Sequence, residues 1–236
     1  MHLLAATGTS GTPSCIRDND WLCWAYVQRN SSAIQHSLLQ HVVLCVIALT
    51  LALALAIPLA LLALRSAVLR GTILSVLGII YTIPSLALFV LLQPALGVTK
   101  ATPVVVALIG YAQLLLVRNV LVGLEEVPAD VLEAARGTGY GATRLLLQIR
   151  LPLALPAILA GLRVTTVSTI ALLTVGTLIG HGGLGDLMSA GFNDNEYRPQ
   201  ILTSLVLIVL LALVADLLLL LVQRLTTPWA RARMSR

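Results

Sequence analysis

The stretch Glu133-Ala134-Ala135-Arg136-Gly137-Thr138-Gly139 lies in a polar loop, residues 125–156, that interrupts an otherwise strongly apolar chain. Pro128 suits the start of a short helix over residues 129–136, and Asp130 favours the positive N-terminal end of its dipole. The polar loop is therefore predicted to begin with a short helix that lies outside the bilayer.

Glycine and proline residues delimit the rest of the polar loop. Gly137, Gly139 and Gly141 are expected to end the short helix, and Pro152 and Pro156 to end the whole stretch. The pattern predicts a compact helix–turn–helix on the arginine-rich side of a membrane. Such an element does not help to cross a bilayer, and it suits the docking of a soluble partner.

The composition indicates an integral membrane protein built from helices. Of the 236 residues, 58% are hydrophobic and 11% are charged, and the mean hydropathy is +0.96. A soluble domain averages about a quarter charged residues. The long apolar runs indicate spanning helices rather than a barrel. The net charge of +5 does not indicate a nucleic-acid partner, because the basic residues are scattered among loops and membrane topology explains them.

Five apolar runs are long enough to predict membrane spans. They cover about residues 36–64, 72–92, 103–123, 157–179 and 201–222. The first run exceeds the roughly 20 residues that a bilayer needs, so we expect it to tilt or to extend into water. Pro58 and Pro84 lie inside spans, where neighbouring helices can satisfy the freed carbonyl groups and where a helix can bend during transport.

The distribution of arginine predicts the orientation. If the polar loop faces the cytoplasm, five spans put the N-terminus outside and the C-terminus inside. Eleven arginines then lie in or near the cytoplasmic side: Arg65, Arg70, Arg118, Arg136, Arg144, Arg150, Arg163, Arg224, Arg231, Arg233 and Arg236. Four basic residues lie outside: Arg17, Arg29, Lys100 and Arg198. This asymmetry agrees with the positive-inside rule, which the opposite orientation would violate.

Both ends of the chain are predicted to lie outside the 36–225 transmembrane domain. Residues 1–35 form an extracytoplasmic N-terminal segment, and residues 226–236 form a basic cytoplasmic tail. The apolar stretch at the start of the chain is too short for a signal peptide and follows no basic residue. Residues 21–26, Trp-Leu-Cys-Trp-Ala-Tyr, are typical of an aromatic anchor at the outer membrane interface.

The cysteines give little indication of their chemistry. Cys15 and Cys23 are eight residues apart in a compartment that permits disulfides, and this spacing leaves both the paired and the free state open. Cys45 lies within the first span and is most simply a packing residue. The cysteines and the four histidines show no metal-ligand spacing, so we expect no metal site.

The sequence also lacks the motifs of an ATPase or another enzyme. It has no G-x-x-x-x-G-K-[ST] pattern, and its one lysine, Lys100, lies in an outer loop. It has no nucleophile–base constellation and no paired catalytic carboxylates, so we assign no catalytic residue. If transport is driven by ATP, another polypeptide must hydrolyse the ATP.

The polar loop resembles the "EAA" loop of ABC-importer permeases. The matching residues are Glu133, Ala134, Ala135, Gly139, Ile149, Leu151 and Pro152. The resemblance implies that these residues fit into a groove on an ATPase subunit. The small side chains of the two alanines permit close approach, and Gly139 allows a backbone turn that a side chain would strain. The carboxylate of Glu133 either accepts hydrogen bonds from a partner or fixes the loop through Arg136 or Arg144.

Further segments resemble the osmoprotectant branch of these permeases. They are residues 78–88 (GIIYTIPSLAL), 133–139 (EAARGTG), 151–156 (LPLALP) and 178–185 (LIGHGGLG). His181 departs from the family's usual Gly-Ala-Gly-Gly-Leu-Gly. The likeness covers about residues 36–222 and implies an all-α membrane protein with a type I ABC importer (MetI-like) transmembrane domain of about five helices. It also implies import of glycine betaine, carnitine, choline or proline-like solutes.

The resemblance also implies an assembly. The chain would form half of a pathway in the bacterial cytoplasmic membrane with a second, identical or homologous permease. Two cytoplasmic ATP-binding subunits would hold ATP and magnesium, so this chain would bind no cofactor. An extracytoplasmic binding protein would select the solute, which agrees with the low aromatic content of 4% and the absence of an evident aromatic cage.

Two groups of residues within the apolar part are candidates for the pathway. Tyr81, Pro84, Ser85 and Tyr111 could line it, with Pro84 as a hinge, although packing is the simpler role for each. The glycine loop, residues 180–185, contains Gly180, Gly182, Gly183 and Gly185. It is either part of an outer gate or a plain connection, because glycine permits a tightly turned backbone beside a cavity.

Asp216 is the one acidic residue inside a predicted span. It could pair with Arg118 or Arg163 as an interhelical clamp, or it could carry protons in a secondary transporter. A lone carboxylate near the interface favours the clamp. The alternatives to an osmoprotectant permease are thus a permease for another small solute, such as an amino acid, and a proton-coupled carrier.

Overall fold

The computed structural model describes residues 13–97 and 101–229, and the regular structure within them is helical. The predictions for residues 1–12, for Lys100 and for the tail from residue 230 lie outside the described residues. The helices are α1 (Ser14–Arg17), α2 (Trp24–Arg29), α3 (Ser31–Ala63), α4 (Ala67–Thr82), α5 (Ser85–Leu96), α6 (Thr102–Glu125), α7 (Ala129–Gly137), α8 (Ala142–Leu145), α9 (Leu151–Val175), α10 (Leu184–Asn193) and α11 (Arg198–Thr226).

Helix α6 forms the centre of the bundle, with α3 and α9 packed against it. On α3, small residues repeat every four positions, and Ala52, Ala56 and Ala60 are fully buried. Small side chains let two helices approach closely, which is how membrane helices gain packing energy in the absence of a hydrophobic driving force. Gln113 of α6 adds a polar contact, since its Nε2 donates to the Ala52 carbonyl at 2.9 Å.

The second predicted span, residues 72–92, is wrong as a single helix. Helices α4 and α5 meet at an angle of 98° across residues 83 and 84. Pro84 forces the residue before it out of the helical region, and Ile83 accordingly has φ −64° and ψ 130°. The chain therefore turns sharply at the proline instead of bending slightly.

The prolines at residues 152 and 156 do not end the polar loop, contrary to the sequence-based expectation. A π-helical turn (Leu146–Arg150) joins α8 to α9, and one long helix, Ala142–Ile179, runs through both prolines. Pro152 closely follows the π-helical turn, where the regular ladder of α-helical hydrogen bonds is already interrupted. The fourth span therefore begins several residues earlier than residue 157.

The region between the last two spans contains a helix that the sequence analysis treated as a loop. After a 3₁₀ turn (Gly176–Ile179) and the glycine loop, α10 packs against α3, α9 and α11. Four helices are long and apolar enough to cross a membrane, and the bent pair α4–α5 makes a fifth if it counts as one span. Counted in this way, the described residues contain the five spans that the sequence predicts.

The segment before α3 is attached to the start of α11. Cys15 and Cys23 form a disulfide, which answers the question that their spacing left open. Asn19 then donates from Nδ2 to the Glu196 carbonyl at 3.0 Å and accepts from the Arg198 amide at 2.9 Å. Tyr26 packs edge-to-face on Tyr197 with ring centroids 5.5 Å apart. Burial raises the pKa of Tyr26 to about 12, so its phenol stays neutral at physiological pH.

The contact between α6 and α9 allows a direct test of this packing. A Cβ atom at Gly161 would lie 2.3 Å from the Cβ of Asn119. We expect Gly161→Leu to lower the free energy of unfolding by about 1–3 kcal/mol or more, because overpacking displaces a whole helix. Gly71→Leu is the matched control, since a Cβ at Gly71 meets nothing within 4 Å. Thermal unfolding of the detergent-solubilised chain measures both, and equal shifts in Tm would contradict the packing.

Candidate functional site

The polar loop folds as a helix, a tight turn and a second helix. Helix α7 covers the predicted residues 129–136, and Gly139 follows it with φ +86°. Its amide donates to the Arg136 carbonyl at 3.0 Å, and the Tyr140 amide donates to the Ala135 carbonyl at 3.1 Å. A Cβ at Gly139 would meet nothing within 4 Å, so this position requires glycine for its backbone conformation and not for space.

One face of α7 is open to a partner. Glu133 and Ala134 are exposed, whereas Ala135 is only 7% exposed and faces the rest of the loop. Within the described residues, the Glu133 carboxylate forms no ion pair with Arg136 or Arg144. Arg144 instead donates to Gln148 at 2.9 Å and lies over the Tyr140 ring. The carboxylate is thus not used to fix the loop.

The other residues of the loop motif belong to the helix that enters the membrane. Ile149 lies in the π-helical turn, Leu151 and Pro152 begin α9, and all three are half-buried. The Nε of Arg150 donates to the Leu124 carbonyl at 3.1 Å and so joins the two ends of the polar loop. The loop is therefore rigidly continuous with α9.

The candidate pathway residues meet at the break between α4 and α5. The rings of Tyr81 and Tyr111 lie edge-to-face, with centroids 6.0 Å apart. The Tyr111 hydroxyl donates to the Ile83 carbonyl, which the turn removes from the helical ladder. Pro84 and Ser85 complete the break, with Pro84 exposed and Ser85 at the start of α5. The four residues form one cluster at the turn between α4 and α5.

The glycine loop is built around a buried histidine. The Leu184 amide donates to Nδ1 of His41 at 3.3 Å, so Nε2 carries the ring proton and donates to the Ile170 carbonyl at 3.2 Å. A Cβ at Gly183 would lie 2.8 Å from the Cβ of His41. The carboxylate of Asp186 accepts from the amides of residues 182 and 183, at 2.9 Å each. The glycine loop is thus a packed junction of α3, α9 and α10, and not a plain connection.

Asp216 pairs with Arg163, one of its two predicted partners. Both carboxylate oxygens accept from the guanidinium at 2.9 Å, a bidentate arrangement that joins α11 to α9. On the same face, Gln223 of α11 donates from Nε2 to the Pro156 carbonyl at 3.0 Å. The two contacts attach α11 to the part of α9 that adjoins the polar loop.

The sequence analysis did not identify His41 and Gln223. His41 joins α3 to the glycine loop, and Gln223 joins α11 to α9. Both are polar residues in apolar surroundings, a combination that marks interhelical contacts in membrane proteins. This signal was present in the sequence, and Asp216 was found by it. In the described part of the chain, no group of three or more His, Cys, Asp or Glu side chains is arranged to hold a metal ion.

Comparison with known proteins identifies a family. Residues 52–231 match the family of binding-protein-dependent transport system inner membrane components. The chain is 35% identical to the choline transport system permease protein OpuBB of Bacillus subtilis, over 89% of this chain and 95% of that protein. It is 34% identical to the osmoprotectant import permease protein OsmW of Salmonella typhimurium, over 86% of this chain and 96% of that protein.

Other relatives and solved structures agree with this match. The glycine betaine/carnitine/choline transport system permease protein OpuCB of Bacillus subtilis is 33% identical, over 86% of this chain and 93% of that protein. Among solved structures, an inward-facing MetNI methionine ABC transporter superposes with a TM-score of 0.73 at 21% identity, covering 87% of this chain and 100% of the matched chain. The fold is therefore the type I importer fold that the sequence predicted.

The histidine junction gives a testable consequence. We expect His41→Leu to lower the free energy of unfolding by about 1–3 kcal/mol, because the buried Leu184 amide and Ile170 carbonyl lose their partner. Amide hydrogen exchange at residues 182–186 should rise in this variant. His36→Leu, at an exposed position of the same helix, is the control. Unchanged exchange in the His41 variant would show that the junction does not order the glycine loop.

Proposed function

The chain belongs to the family of binding-protein-dependent transport system inner membrane components, and from this premise we propose that it imports compatible solutes. It is the permease subunit of an ATP-driven importer, and its solutes are glycine betaine, carnitine, choline or proline. The names of relatives at 33–35% identity support this class, since they are choline, glycine betaine, carnitine and osmoprotectant permeases. ATP and magnesium bind to a partner, since this sequence has no P-loop.

The observation that carries this proposal is the continuity between an exposed docking face and the far side of the bundle. Helix α7 presents Glu133 and Ala134 to a partner, and the helix from residue 142 to residue 179 leads from the polar loop to the glycine loop. In this proposal, a movement of α7 passes through the short turn at Gly139 and is then transmitted along a single helix. A flexible connection would absorb that movement.

In the mechanism we propose, an ATPase subunit binds α7 and moves it when ATP closes the ATPase pair. Arg163 and Asp216 make α11 follow α9, because a bidentate ion pair fixes both distance and orientation. The break at Pro84 lets α4 and α5 change their angle while the rest moves as a rigid body. This is alternating access by rocking of packed helices.

Two copies of this chain, or this chain and a homologue, form the complete pathway with two ATPase subunits. One chain encloses too little space, and its long helices α3 and α11 leave many apolar side chains exposed to lipid or to a second subunit. The polar loop faces the cytoplasm, the N-terminus lies outside and the C-terminus inside, as the arginine distribution predicts. The extracytoplasmic binding protein then meets the side that carries the glycine loop.

Substrate passage in this proposal uses weak contacts. Tyr81 is exposed at the hinge and packs edge-to-face on the buried Tyr111, so Tyr81 offers aromatic surface along the pathway, and an ammonium group is attracted to such a surface. Two tyrosines do not form a tight cage. The permease therefore offers a passage, and selection among solutes belongs to the binding protein.

Two substitutions separate this proposal from a proton-coupled carrier. We expect Gly139→Asp to abolish uptake, because a side chain strains the backbone at φ +86° and a second carboxylate disturbs the docking face. Gly137→Asp, two residues away with a helical backbone, is the matched control and should keep most of the uptake. Asp216→Asn should lower stability but keep uptake per molecule, because the amide still accepts hydrogen bonds from Arg163.

The measurement is uptake of radiolabelled glycine betaine, choline, carnitine and proline in native cells, normalised to the amount of chain in the membrane. Retained uptake and ATPase association in Gly139→Asp, together with loss in Asp216→Asn, would replace the proposal by a carrier driven through Asp216. Uptake of an amino acid but of none of these four solutes would change the substrate class and keep the docking mechanism.

A further inference from the structure

A cavity of about 480 Å³ lies between the polar loop and the adjacent end of α3. Its lining residues combine two guanidinium groups and a phenol with apolar side chains: Leu61, Arg136, Tyr140, Ala142, Leu145, Leu146 and Arg150. We propose that this cavity binds the phosphate-bearing headgroup of an anionic phospholipid at the membrane surface. We call it the arginine cavity.

Among the described residues, the two arginines of the arginine cavity have no anionic partner. Within the described residues, Arg136 makes no hydrogen bond or ion pair, and Arg150 uses Nε on the Leu124 carbonyl. The ion pairs of the described chain join Arg17 to Asp18, Arg70 to Glu125 and Arg163 to Asp216.

Every side-chain carboxylate of the sequence lies in the described part of the chain, so the remaining residues supply none. The positive charge of the arginine cavity is therefore available to an external anion. Phosphate is the anion that best matches two guanidinium groups, because each fork donates two parallel hydrogen bonds to phosphate oxygens. The Tyr140 hydroxyl offers one further donor, and the Arg144 guanidinium lies 4.6 Å from the Tyr140 ring centroid and adds positive charge nearby.

The apolar wall of the arginine cavity favours a lipid over a free ion. Leu61 belongs to the last turn of the spanning helix α3, and Leu145 and Leu146 lie where the polar loop turns into the membrane. The arginine cavity therefore opens where the apolar surface of a span meets the water interface. A phospholipid fills both halves, with its phosphate on the arginines and its glycerol and first acyl carbons on the leucines. A free phosphate would leave the leucines uncovered.

General membrane electrostatics favours the same ligand. Basic pockets beside spanning helices at the cytoplasmic surface attract anionic headgroups, with about 1 kcal/mol for each basic residue near the surface. The proposed orientation assigns the bound lipid to the cytoplasmic leaflet, and the lipid site rests on the proposed function in this respect alone. It does not depend on the transported solute or on the ATPase.

The test uses the full-length chain in mild detergent and native mass spectrometry. The chain is incubated with phosphatidylglycerol and phosphatidylcholine that carry the same acyl chains. We expect about tenfold preference for phosphatidylglycerol, and about tenfold weaker retention of it in Arg136→Gln, because charge-assisted hydrogen bonds to the phosphate are lost. Arg136→Lys should restore part of the binding, since it keeps the charge but not the fork.

Two controls show whether a loss of phosphatidylglycerol binding comes from the arginine cavity itself, from unfolding of the chain, or from a general loss of positive charge. Arg136 is exposed and without a partner in the described residues, so Arg136→Gln should unfold at the wild-type Tm. Arg224→Gln removes an arginine from the last turn of α11, on the same proposed side of the membrane, and should retain phosphatidylglycerol as the wild type does.

Three outcomes would overturn the proposal. Equal retention of the two lipids, or an equal loss in Arg224→Gln, would show that the arginine cavity does not select an anionic headgroup. Displacement of the lipid by millimolar inorganic phosphate, with phosphate bound in its place, would assign the site to a free ion. Loss of ATPase co-purification in Arg136→Gln with unchanged lipid retention would assign the arginine to ATPase docking. That outcome would leave the proposed transport function intact.

Discussion

Backbone amide and carbonyl groups that leave a helix inside a bilayer must find partners within the protein, because lipid offers none. In this chain, two breaks between helices are met by a polar side chain from another helix. The Tyr111 hydroxyl bonds to the carbonyl of Ile83 at the α4–α5 turn, and Nδ1 of His41 accepts the Leu184 amide at the glycine loop. The irregular parts of the fold thus depend on a few buried polar residues that lie on regular helices.

This dependence connects the fold to transport. A transporter needs places where the backbone can change direction, and a membrane allows such places only where neighbouring helices satisfy them. The α4–α5 turn and the glycine loop are two such places, and both lie against the rigid helices α6 and α9. The second half of the polar loop, from residue 142, is continuous with α9, and α7 is joined to it by the turn at Gly139. The positions at which the backbone changes direction thus coincide with hydrogen bonds from neighbouring helices.

The sequence predicted the features that follow from local chemistry. Apolar runs long enough to cross a bilayer indicated the spans, and the glycines of the polar loop indicated the turn after α7, at which the structure gives Gly139 a positive φ. The partner of Asp216 was one of two candidates, because arginines near the same depth are few. Each of these predictions needed only neighbouring residues or the general physics of a membrane.

Features that depend on distant contacts were not predictable. Proline commonly interrupts a helix, but Pro156 lies inside α9, whereas Pro84 lies at a turn of 98° between α4 and α5. Helix α10 is short, and its first residues are glycine-rich, so its stability comes from α3 and α11 rather than from propensity. The Cys15–Cys23 disulfide depends on a turn that Asn19 stabilises by bonding to residues far along the chain.

Some arginines near the polar loop form ion pairs with carboxylates and others do not, and the difference follows from their depth in the membrane. Arg163 lies within the spanning part of α9 and pairs with Asp216, because an unpaired charge at that depth is costly. Arg70 lies at the start of α4 and pairs with Glu125, which holds the ends of α4 and α6 together. Arg136 lies beyond the spans, where water and headgroups solvate a free guanidinium. Its lack of a carboxylate partner therefore costs little stability and keeps its charge available to ligands. Among these arginines, Arg70 and Arg163 thus join helices, whereas Arg136 keeps its charge available beyond the spans.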